Sequence, residues 1–239
     1  MAKTVTVTTT DGAMALYDAE PPGSPQGAVV VLQEAFGVND HIEEVTRRFA
    51  GEGYRAVAPH LFHRSGDPVL DYGNFEKIMP HMQALTEAGL LADLDASLGY
   101  LADAGFAAPR VGVVGFCMGG TVVFLAAVRR ALGAAVTFYG GGVAEGRFGM
   151  PSLVELAPTL KTPWLGLFGD RDQGIPVDQV EALRRVTATA PVSTEIVRYP
   201  EAGHGFHCDA RTDSYHQASA EDGWGRTLDW FERYLAAGS

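Results

Sequence analysis

The sequence predicts an α/β fold: a mostly parallel central sheet with helices on both faces and an antiparallel hairpin at the amino terminus. Three observations carry it. Short, continuous runs of β-branched residues such as Ala28-Val29-Val30-Val31-Leu32 suit strands buried on both faces. These runs alternate with longer stretches of helical periodicity, the signature of βαβ units with right-handed crossovers. The first two runs instead alternate in a period of two around Asp11-Gly12, which marks a hairpin.

Taken in order, segments 4–9 and 14–18 form the hairpin, with Asp11-Gly12 as its turn, and the loop Pro21-Pro22-Gly23-Ser24-Pro25 leads to a strand over 28–32. A helix over 41–51, a strand over 55–59 and helical material through 75–104 follow. Next come a strand over 111–115, a helix over 118–132 and strands over 134–138 and 164–168. A helix over 177–189, a strand over 194–199 and a closing helix complete the chain. In that helix Trp224, Leu228, Phe231 and Leu235 recur at helical spacing on one face. The stretch 140–158, rich in Gly and Pro, is the expected excursion from the sheet, as a lid or a surface loop.

Composition bounds the function. With 239 residues and 46% hydrophobic content the chain is expected to form one domain, residues 1–239, around one sizeable core. A formal net charge of −11 opposes binding to phosphate backbones, so nucleic acid is not an expected partner. The pairs Arg47-Arg48, Arg129-Arg130 and Arg184-Arg185 read as solvated faces of separate helices. No secretory signal and no membrane-length apolar run is present, so the expectation is a cytoplasmic protein, a monomer or small homo-oligomer. A reducing compartment argues against a disulfide between Cys117 and Cys208 and leaves a thiol available.

The sharpest chemical signal is Gly115-Phe116-Cys117-Met118-Gly119-Gly120, set between a predicted strand and a predicted helix. This is a Gly-x-nucleophile-x-Gly elbow with cysteine in the nucleophile position. Such a turn strains the nucleophile, needs glycine where strand and helix cross, and places the thiol at a helix amino terminus that favours thiolate. The alternative reading of Cys117 is a small buried hydrophobe. A thiol nucleophile needs a base and an orienting acid, in the chain order nucleophile, acid, histidine for this arrangement. Asp172, in Phe168-Gly169-Asp170-Arg171-Asp172, and His204, in Ala202-Gly203-His204-Gly205-Phe206, follow strands in that order. Asp170 competes with Asp172, and either carboxylate can be a turn former.

With these pieces stand Gln33-Glu34-Ala35-Phe36-Gly37-Val38-Asn39 and Gly53-Tyr54-Arg55-Ala56-Val57-Ala58-Pro59. Together they resemble the dienelactone hydrolase (carboxymethylenebutenolidase) family, across nearly the whole chain. The resemblance implies an α/β-hydrolase fold and ester or lactone hydrolysis through a Cys-His-Asp triad and a thioester intermediate, without a cofactor and on a small-molecule substrate. It also implies that Glu34 holds or accepts the thiol proton until substrate arrives, and that the backbone N–H groups of Ala35 and Met118 form the oxyanion hole. Phe36 and Arg211 are the candidate substrate contacts. The sequence departs from family members that hold an acidic lactone with arginines. The region Asn74-Phe75-Glu76-Lys77-Ile78-Met79 has no Arg, and Arg211 stands later after the histidine than expected. The expectation is therefore a preference for neutral substrates, unless the loop 206–212 folds back and brings Arg211 to the site.

Two rival readings differ in class. His60-x-x-His63 and His204-x-x-His207-Cys208-Asp209 have spacings of potential metal ligands, but neither is a strong zinc framework, and no metal is expected. A catalytically inactive small-molecule-binding scaffold would keep the pocket without turnover. No dinucleotide fingerprint follows the strand 28–32.

Overall fold

The computed structural model describes residues 1–235. Eight strands form one sheet: β1 (Ala2–Thr9), β2 (Gly12–Ala19), β3 (Gly27–Leu32), β4 (Tyr54–Pro59), β5 (Val111–Phe116), β6 (Ala134–Phe138), β7 (Trp164–Gly169) and β8 (Thr194–Tyr199). Their spatial order is β1-β2-β4-β3-β5-β6-β7-β8. β1 pairs antiparallel with β2, and β2 with β4, while every other neighbour is parallel. The helices are α1 (Asp40–Gly51), α2 (Phe75–Ala84), α3 (Glu87–Asp103), α4 (Met118–Arg129), α5 (Leu153–Leu156), α6 (Val177–Thr187) and α7 (Gln217–Tyr234). Every residue of β3, β5, β6 and β7 is buried, as parallel strands covered on both faces must be.

Three local differences from the sequence reading have physical causes. The hairpin turn is Thr10-Asp11, since Thr9 pairs with Gly12. The Thr9 hydroxyl donates toward the Asp11 carboxylate and the Gly12 carbonyl and secures that register. The helical stretch 75–104 is two helices, because Leu85 turns extended and the Thr86 side chain accepts from Gly89 N–H to start α3. The excursion 140–158 is pinned to the body: Ser152 and Glu155 close a capping box on α5, and Phe148 accepts a bond from Glu87 N–H.

Topology makes the crevice. From β3 the chain crosses by α1 to β4 on one side, then returns to β5 on the other, so the loops leaving β3 and β5 part company. Ligands of open α/β sheets bind at such a switch point, beyond the carboxyl ends of the strands. The approach of α4 to the sheet here depends on missing side chains. A Cβ on Gly119 would lie 2.4 Å from the Leu32 carbonyl oxygen, and one on Gly115 would lie 2.4 Å from that of Gly119. Neither obstacle can swing aside, because both are backbone.

Gly119→Ala should therefore cost about 1–3 kcal/mol, the range for overpacking. For a chain this size each kcal/mol lowers Tm by about 2–4 °C. Gly99→Ala is the control: a Cβ in that α3 position meets nothing within 4 Å, and the change should be neutral or stabilising. Thermal melts of the two variants check the contrast.

Candidate active site

Five strand ends supply the site. Glu34, Ala35 and Phe36 follow β3, Cys117 follows β5, Tyr139 follows β6, Asp170 and Asp172 follow β7, and His204 follows β8. Cys117 sits at φ 54 and ψ −114, immediately before α4. A non-glycine residue rarely adopts that conformation, which here lifts the side chain out of the sheet at the helix amino terminus. Its thiol is partly exposed. Met118 is the first residue of α4, where a backbone N–H has no acceptor within the helix.

The two aspartates after β7 have different partners. Asp170 is held by both of its oxygens to Arg198, at 2.7 Å each. Asp172 is buried and accepts from Gly174 N–H at 2.8 Å, while its other oxygen lies 2.6 Å from His204 Nδ1. That pairing leaves Nε2 as the free ring nitrogen, and Cys117 and Asp172 are the two groups that raise the imidazole. Burial alone would push His204 down, but the negative charge of Cys117 and the Asp172 carboxylate overrule it and hold the imidazole up at about 10.

Glu34 lies behind this group, 1% exposed, and neither carboxylate oxygen has a hydrogen-bond partner. Burial raises its pKa and favours the neutral acid; Arg211 and His204 only oppose that tendency. The loop after His204 does fold back. The Arg211 guanidinium stands 5.6 Å from the centre of the Phe36 ring and 5.5 Å from that of Tyr72. These cation–π contacts, rather than an ion pair, hold it beside the site. Phe36 is buried beneath it, its ring edge-on to Tyr72 at 4.6 Å.

Neither histidine pair noted in the sequence gathers as a metal site. His60 turns to Asp67 and His63 to Asp93, while His207 is stacked between Phe116 and Trp224, with burial lowering it to about 3. Sequence reasoning missed Tyr139. Its ring stands edge-on to His204 at 5.1 Å, its buried hydroxyl has no hydrogen-bond partner, and burial raises its pKa well above the usual phenol range. The available signal was its place, directly beyond the carboxyl end of a predicted strand.

The sequence model of the dienelactone hydrolase family matches residues 14–235. The chain belongs to that family. An Escherichia coli protein named "Putative carboxymethylenebutenolidase" is 41% identical over 226 residues, 92% of this chain and 83% of that one. One of the same name from Methylorubrum extorquens is 41% identical over 232 residues, 95% of this chain and 79% of its own. The crystal structure titled as a putative dienelactone hydrolase from Klebsiella pneumoniae superposes with a TM-score of 0.91 at 40% identity, covering 98% of this chain and 99% of that one. Acylaminoacyl peptidase domains at 15% identity share the α/β-hydrolase fold.

Proposed function

We propose that this dienelactone hydrolase family member cleaves ester or lactone bonds with Cys117 as nucleophile, His204 as acid and base, and Asp172 as the group that orients His204. The observation that carries this reading is the His204 imidazole, whose Nδ1 is held 2.6 Å from the buried Asp172 carboxylate, beyond the strand that follows the one bearing Asp172, as a catalytic triad requires.

The proposed reaction follows from that arrangement. Cys117 Sγ attacks the substrate carbonyl, and its oxygen takes up negative charge between the N–H groups of Ala35 and Met118. As the carbon–oxygen bond breaks, the His204 imidazolium gives its proton to the leaving alkoxide, and a thioester remains on Cys117. The Cys117 charge that raised His204 most is then gone, so its pKa falls and the deprotonated imidazole acts as the base that takes a proton from water. Water attacks the thioester, the carboxylic acid departs, and the thiolate–imidazolium pair re-forms. Glu34, whose pKa burial raises, is assigned to holding the Cys117 proton when His204 does not hold it, before substrate arrives. With a chromogenic ester the scheme calls for a burst of one equivalent of alcohol per enzyme before the steady rate. An enzyme that binds the ester without releasing alcohol refutes it.

The position of Arg211 revises the expectation of neutral substrates. A guanidinium held only by cation–π contacts near Glu34, whose burial disfavours the charged carboxylate, favours a substrate that carries a carboxylate. Arg211→Ala should lower kcat/KM for an acidic lactone about 30-fold or more, the lower end for losing one partner of a charge pair. It should leave a matched neutral ester nearly unchanged. Equal losses on both substrates remove Arg211 from recognition.

A further inference from the structure

We infer that Glu34, His41 and Cys208 form a second site, for a divalent transition-metal ion of zinc type, and that its occupancy inhibits the enzyme by immobilising Glu34. The three ligand atoms lie within 4.8 Å of one another. The residues are 1%, 5% and 0% exposed. Both Glu34 oxygens and His41 Nε2 lack hydrogen-bond partners. Leaving buried polar atoms unpaired is costly, and a ligand shared among them would relieve that cost.

The donor set selects the ion. Carboxylate, imidazole and thiolate together suit zinc, whereas magnesium and calcium take oxygen donors. Burial keeps His41 neutral, the form that ligates. Its Nδ1 lies 3.2 Å from Asp209 Oδ1, and Asp209 is itself held at 2.5 Å by Arg48. A carboxylate behind a histidine is the usual outer support of a metal-binding imidazole. An approach exists as well: a cavity of about 310 Å³ is lined by Asn39, Asp40, His41, Asp71 and Tyr72 among others. The Tyr72 hydroxyl lies 3.6 Å from the Cys208 sulfur, between that cavity and the cluster. Arg211 opposes a cation here, but Glu34 and Cys208 both lose protons on binding, and their two negative charges balance the ion.

Binding is independent of the catalytic reading; only the inhibition rests on it. The test titrates cobalt(II) into full-length Cys117→Ala protein, so that the active-site thiol contributes nothing. The expected result is a thiolate-to-cobalt charge-transfer band with visible bands of a four-coordinate ion, saturating at one equivalent and displaced by zinc. Adding Cys208→Ser or His41→Asn should each abolish four-coordinate thiolate binding, with folding checked by circular dichroism. Asp209→Asn should weaken it about 10- to 100-fold. In protein with Cys117 intact, zinc should inhibit reversibly, and Cys208→Ser should remove the inhibition. Absence of the thiolate band in Cys117→Ala, its survival in Cys208→Ser, or zinc inhibition that persists in Cys208→Ser overturns the proposal.

Discussion

Cys117→Ala is expected to lower kcat by about 10⁴-fold or more while the protein keeps its fold, because losing the nucleophile leaves only binding and the oxyanion donors. Alanine fits the elbow no worse than cysteine: the strained φ of 54 is a property of the turn, and the thiol is partly exposed rather than packed in the core. Iodoacetamide should inactivate the wild type by modifying Cys117, with buried Cys208 spared. The His204 imidazole gives a second readout. The negative charge of Cys117 is the strongest influence raising it to about 10, so in Cys117→Ala its titration falls, with Asp172 left to oppose burial. A nuclear magnetic resonance titration of the His204 ring in both proteins checks the sign.

His204→Ala and Asp172→Asn are expected to cost about 10³- to 10⁴-fold each in turnover, and the double variant little more than the worse single one. Groups that act as a unit lose their function together. Asp172 is buried and its Oδ2 faces only the imidazole, so its loss frees the ring to turn and removes the support for imidazolium. Asp170→Asn should barely alter kcat, since its carboxylate is engaged with Arg198; its effect should be a modest fall in Tm. Steady-state kinetics on the four proteins separates the two aspartates. A larger loss in Asp170→Asn than in Asp172→Asn would reverse the assignment.

The elbow and the strand alternation were legible because they are local. A glycine two residues either side of Cys117 announces a crossing, and the clashes that a Cβ would meet at Gly115 and Gly119 are that crossing seen in space. The sequence favours Asp172 over Asp170 as the acid, but what separates them in space was not legible, since both lie in one loop and their partners, Arg198 and His204, come from β8 and the loop beyond it. Arg211 illustrates the same limit. Its offset from His204 suggested distance from the site, yet the turns between them bring it over Phe36. Glu34, His41 and Cys208 gather through three separate loops and helix ends, and no spacing in the sequence marks them.

The proposed reaction passes through a thioester on Cys117. It is tested most directly by acid-quenching the enzyme during turnover of a slow ester and measuring the mass of the intact protein and its peptides. The expected result is a single acyl adduct on the peptide holding Cys117, released by neutral hydroxylamine and absent in Asp172→Asn enzyme quenched at the same early time. An enzyme that turns over with no adduct, or with the adduct on Cys208, would contradict it.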